Sequence, residues 1–111
     1  MTVEERFTNP VGILQGGFLA ALCDSAMGAS SITWAAGEGR APARSANAEM
    51  KVSFMRPVRP GTTLTCTATV VAGGARVAFV EADVVDGDGN RVARASSTYL
   101  LSPRTDGRPT D

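Results

Sequence analysis

Residues 16–37 read GGFLAALCDSAMGASSITWAAG, and how this stretch folds decides the rest of the chain. It shows no period of two, is rich in alanine and leucine, and stops at Gly37, so a helix is expected from Gly16 to about Ala36. Phe18, Leu19, Leu22, Cys23, Met27, Ile32 and Trp34 fall on nearly every face of that helix. A helix apolar on all sides is expected to be buried. Only one charge, Asp24, interrupts it.

Outward from the helix the pattern changes. Thr2 to Thr8 alternates weakly and reads as a short strand. After a Gly/Pro-containing loop from Gly37 to Ala43, the remainder reads as strands. Ala46, Ala48, Met50, Val52 and Phe54 alternate with Asn47, Glu49, Lys51 and Ser53, and Pro57 to Gly61 makes a turn. Further strands are expected over Thr62–Val71, Arg76–Val85 and Arg91–Leu101, parted by Gly73-Gly74 and by the hairpin loop DGDGN at 86–90. The expected fold is α+β: an antiparallel meander completing a sheet of about five strands, wrapped around one long buried helix, which is the hotdog arrangement. Five strands cannot enclose a helix of about 30 Å on every side, so an edge-paired dimer, alone or as a dimer of dimers, is expected to cover the remainder.

The 111 residues fit one domain, expected over 1–102, with a polar, frayed tail at 103–111. Eleven basic residues balance eleven acidic ones, a distribution that favours neither nucleic acid nor an anionic membrane surface as partner. The longest apolar run, Phe18 to Cys23, is too short to span a bilayer, and no basic-then-apolar leader is present, so a cytoplasmic location is expected. Cys23 and Cys66 lack metal-type spacing and read as free core thiols. No histidine occurs in the sequence, which removes Ser-His-Asp and Cys-His nucleophiles, His-ligated zinc and histidine bases. Chemistry here would have to run on carboxylates, amides and hydroxyls, and neither a metal nor a cofactor is expected.

Gly16 and Gly17 at a helix start leave backbone N–H groups unobstructed, where the macrodipole adds partial positive charge. Such groups can polarise a carbonyl oxygen, as acyl transfer requires, or the glycines can simply permit close packing. Asp24 lies eight residues beyond Gly16, about 12 Å along the axis, so one chain's acid cannot serve its own glycine. Two such helices lying antiparallel across a two-fold axis would bring each Asp24 to the other's Gly16. An unpaired charge in so apolar a helix costs several kcal/mol, which favours a functional reading of Asp24 over a structural one. Asn9 supplies an uncharged amide in the preceding loop, although Asn-Pro is also an ordinary turn former.

The pattern N-x-x-G-x-x-Q-G-G-x-x-x-x-x-x-D from Asn9 to Asp24, then EMKVSFMRP at 49–57 and GNRVARASST at 89–98, resembles the hotdog acyl-CoA thioesterases of the phenylacetate-degradation (PaaI-like) branch. The resemblance spans about Val3 to Leu101. It implies an acyl-CoA substrate, no cofactor beyond the coenzyme A of that substrate, and a carbonyl polarised at Gly16. It also implies an acid, Asp24, acting as base or nucleophile from the neighbouring subunit, and Asn9 positioning water. Gln15 stands where the family carries histidine, keeping a donor that does not titrate, with Gly17 beside it. Asn47 stands where relatives often carry Ser or Thr facing the acyl group, and makes the pocket more polar. Arg56, Arg76 and Arg94 lie near strand ends where related proteins meet the nucleotide of coenzyme A, a position equally open to solvated charges. Hydrolysis of a small, medium or aromatic acyl-CoA is the leading expectation, and a non-catalytic acyl-CoA binder of the same fold is the alternative.

Overall fold

The computed structural model describes residues 1–10, 12–39 and 43–103. One helix, α1 (Gly16–Gly37), is followed by four strands: β1 (Ala43–Phe54), β2 (Thr65–Gly73), β3 (Val77–Val85) and β4 (Arg91–Pro103). All pairings are antiparallel, in the order β1-β4-β3-β2, and α1 packs across the sheet in the hotdog manner. The tail expected over 103–111 lies, beyond Pro103, outside the described residues, as does the loop at 40–42.

Two expectations about the sheet are corrected. The N-terminal stretch is not a strand: Val3 exchanges backbone bonds with Thr62 and Gly61, after which the chain turns through a 3-10 helix at Glu5–Phe7. Seven residues of mixed alternation did not carry enough apolar surface to distinguish strand from turn. The sheet therefore has four strands, and Thr63 and Leu64 pair with the N-terminus rather than extending β2. Nor is the sheet a meander throughout. β4, β3 and β2 are sequential neighbours, but β1 joins the far side of β4, so residues 55–64 cross from one sheet edge to the other.

Burial also differs from the sequence reading. A four-stranded sheet covers one side of a helix, and the buried stripe is Leu19, Cys23, Met27, Ser31 and Ala35, four residues apart along α1. Phe18 and Ile32, on other faces, are 39% and 42% exposed in the single chain. Facing the stripe are Ala78, Val80, Ala82 and Val84 of β3 and Ala93, Ala95, Ser97, Tyr99 and Leu101 of β4, a strict alternation on each strand. Small residues in the strand centres let the helix come close. Ser31, the buried hydroxyl of the stripe, lies 2.7 Å from the Gly28 carbonyl oxygen and 2.7 Å from the Ser45 hydroxyl, tying α1 to β1. Cys23 is buried and Cys66 half-buried, both as free thiols. Their mutual hydrogen bond, then burial, pushes the Cys23 thiol up from its ordinary range, and the same bond lowers that of Cys66.

In β1 the expected alternation breaks at a bulge. Asn47 pairs with Tyr99 but Glu49 with Thr98, leaving Ala48 as an extra residue. Asn47 therefore faces the helix, while Glu49 faces the outer side of the sheet, where its carboxylate accepts from the Thr98 hydroxyl at 3.2 Å.

Candidate active site

The site has two halves at different heights on α1. At the N-terminal end, Gln15 is the N-cap residue with extended backbone (φ −66°, ψ 137°) and no side-chain cap. Its own N–H goes to the Phe7 carbonyl at 3.0 Å, which anchors the entry to the helix. By helix geometry the N–H groups of Gly16 and Gly17 have no intrahelical acceptor. Asn9, Gly16, Leu19, Phe54 and Arg56 line a cleft of about 520 Å³ here. The Phe54 ring lies over Gly16 so closely that a Cβ there would stand 2.9 Å from its Cζ. Nothing approaches the corresponding position of Gly17. Asn9 shapes the loop through its Oδ1, which accepts from the Ile13 N–H at 3.3 Å, and through its carbonyl, which accepts from Gly12 at 2.9 Å. Gly12 has φ +81°, a conformation glycine adopts without strain.

The second half surrounds Asp24. The argument that this acid is an unpaired charge in an apolar helix is corrected: its face of α1 is exposed in the single chain, and its carboxylate is held by two donors. Tyr99 Oη donates to Asp24 Oδ1 at 2.6 Å, and Asn47 Nδ2 approaches the same oxygen at 3.0 Å. The Ser97 hydroxyl stands 2.6 Å from both Asn47 Oδ1 and the Glu49 carbonyl oxygen, so the Asn47 amide is oriented with its nitrogen toward the carboxylate. Tyr99 is only 2% exposed. Burial, and then the bond to Asp24, pushes its phenol up from the ordinary tyrosine range, which keeps it a protonated donor at neutral pH.

The structure thus brings Asn47 to Asp24, and Asn9 and Arg56 to Gly16. It leaves Arg76 and Arg94 elsewhere. Arg76 lies in the β2–β3 turn, beside Gly73, which packs on Trp34 near the far end of α1. Arg94 is on the outer sheet face, in an ion pair with Glu81 at 3.0 Å. Tyr99, Ser97 and Phe54 are the neighbours that the sequence reading did not single out. The alternation of β4 was the available signal for the first two, since it turns 93, 95, 97 and 99 to one face.

Residues 11–93 match the family model described as the thioesterase superfamily. The chain belongs to that superfamily. This thioesterase-superfamily chain is 32% identical over 102 residues to human acyl-coenzyme A thioesterase 13, covering 91% of this chain and 69% of that protein. Among solved structures, the E. coli PaaI protein from the phenylacetic acid degradation operon is similar with a TM-score of 0.77 and 25% identity, over 92% of this chain and 69% of that one. The BH2602 protein from Bacillus halodurans, solved with CoA, shares the fold at a TM-score of 0.81 and 22% identity, over 92% of this chain and 68% of that one. Among the described residues, no helix is long and apolar enough to cross a membrane.

Proposed function

We propose that the chain is an acyl-CoA thioesterase acting on a small, medium or aromatic acyl group, with its active site completed across a two-fold dimer. The observation that carries this reading is the carboxylate of Asp24, fixed through Oδ1 on the exposed side of a helix whose first N–H groups lack intrahelical acceptors. The names of the human relative and of the PaaI protein, and the CoA bound by the Bacillus protein, support the substrate class.

In this reading the thioester oxygen takes the Gly16 N–H of one subunit, and Asp24 of the other removes a proton from water. The water oxygen bonds to the carbonyl carbon, and charge accumulates on the oxygen at the helix N-terminus, where dipole and N–H oppose it. Collapse breaks the C–S bond, and the coenzyme A thiolate leaves and recovers the proton. Asn9 orients the water. Among the described residues, Arg56, which lines the same cleft, is the cation proposed for the phosphates of coenzyme A. Coenzyme A enters only as part of the substrate, and the free thiols suit a cytoplasmic setting.

A binder of the same fold that has lost turnover with its histidine is the competing reading, and Gln15→His separates the two. Gln15 is exposed and makes no side-chain cap, so it holds the loop chiefly through its backbone. Free-thiol release across short, medium and aromatic acyl-CoAs is expected in the natural protein, with turnover changing at most about tenfold in Gln15→His. A natural protein that binds acyl-CoA without hydrolysis and gains about a hundredfold or more on that substitution is the binder.

A further inference from the structure

Tyr99 is the one tyrosine of the sequence, and it spends its hydroxyl on a carboxylate. Its ring is buried between α1 and the sheet, on the alternation that also turns Ser97 inward. A buried phenol needs a partner, and here the helix backbone could have supplied one: the Asp24 carbonyl oxygen lies 3.0 Å away. The shorter contact, at 2.6 Å, is to the carboxylate. The Asn47 amide converges on the same oxygen, its orientation fixed in turn by Ser97. Both donors therefore occupy Oδ1, and no group among the described residues bonds Oδ2.

We propose that Tyr99 is a positioning residue for hydrolysis: its phenol, with Asn47 beside it, fixes Asp24 through Oδ1 and leaves Oδ2 as the oxygen that takes the proton from water. The proposal rests on the thioesterase reading above. Without the phenol only the Asn47 amide holds Oδ1, so the carboxylate turns more freely about χ2 and the base meets the water in fewer productive poses. This loss belongs to the chemical step rather than to substrate affinity. The network is built within one chain, so each subunit presents an oriented acid before any partner or substrate arrives.

The test compares the natural protein, Tyr99→Phe, Asp24→Ala and the double variant in steady-state hydrolysis, and follows tyrosinate absorbance against pH in the natural protein and in Asp24→Asn. Tyr99→Phe is expected to lower kcat about tenfold to a hundredfold with KM within about twofold. In the Asp24→Ala background the same substitution is expected to change nothing further, because the group it acts through is gone. Tyrosine ionisation is expected to move to lower pH in Asp24→Asn, since both the accepting carboxylate and its charge are removed. An unchanged kcat in Tyr99→Phe, an equal loss in both backgrounds, or a titration indifferent to Asp24→Asn overturns the role alone. The titration requires no change at Tyr99, so it decides the point even if Tyr99→Phe should not fold. A natural protein silent toward every acyl-CoA overturns the hydrolase reading, and this role with it.

Discussion

At Gly16 one atom can be removed with little else disturbed. Proline is tolerated at the first position of a helix, where its missing N–H costs no intrahelical bond. The residue before a proline must be extended, and Gln15 already is, at φ −66° and ψ 137°. The Phe54 ring, which a side chain at Gly16 would meet, is 55% exposed and free to swing aside. Gly16→Pro is therefore expected to keep the melting temperature within a few degrees and to lower turnover about a hundredfold or more, the scale of one oxyanion donor. A variant that folds and retains full turnover would remove Gly16 from the mechanism. Tyr99 carries a separate expectation for stability. Its phenol is raised in the folded state, so the unfolded chain ionises first as the solution becomes alkaline, at the ordinary value near ~10. The stabilisation is complete below that value and is lost as pH rises toward the folded one. Urea midpoints should fall through this alkaline window in the natural protein and fall less steeply in Tyr99→Phe, where the raised Cys23 thiol still contributes.

Among the elements, α1 and the sheet meet at their far end through Trp34 and Gly73. A Cβ at Gly73 would collide with the Trp34 ring, whereas nothing lies within 4 Å of the same position on Gly74. Neither glycine has positive φ, so the comparison isolates packing from backbone strain. Gly73→Ala should destabilise by about 1–3 kcal/mol, the range of overpacking, and Gly74→Ala should stay within about 0.5 kcal/mol in denaturant unfolding. The helix and the four strands were legible in the sequence because each is governed by local periodicity. Strand order was not, since alternation in β1 looks the same whether its neighbour is β2 or β4. The bulge at Ala48 was hidden for the same reason: alternation continues on either side of it, and only pairing with β4 reveals the change of phase. The short N-terminal stretch misled because Val3 does make strand-like bonds, but to a turn.

For the whole molecule, the rise of α1 separates Gly16 from Asp24 by about 12 Å, so under the proposed mechanism a single chain would hold two half-sites. Exposed Phe18 and Ile32 on the uncovered faces of α1, and β1 as a sheet edge, are the surfaces a second copy would cover. A dimer or tetramer is expected in sedimentation at micromolar concentration. Mixing Asp24→Asn with Gly16→Pro chains should recover part of the activity, because one hybrid interface pairs an intact acid with an intact amide. No recovery, with hybrids shown to form, would count against the shared site. The sequence pointed to Asp24, Gly16 and Asn9 through their spacing, but the partners of Asp24 come from β1 and β4, and contacts that distant leave no local trace. The bulge in β1 has one further effect, on how the chain tolerates changes of length. Deleting Ala48 would straighten the strand and leave Asn47 facing inward and Glu49 outward, as they are now. Deleting one residue between Ala95 and Tyr99, where pairing with β3 is unbroken, would turn the tyrosine to the outer face and strip Asp24 of its donor. Two single-residue deletions on neighbouring strands should thus have opposite outcomes, one silent and one fatal to the site.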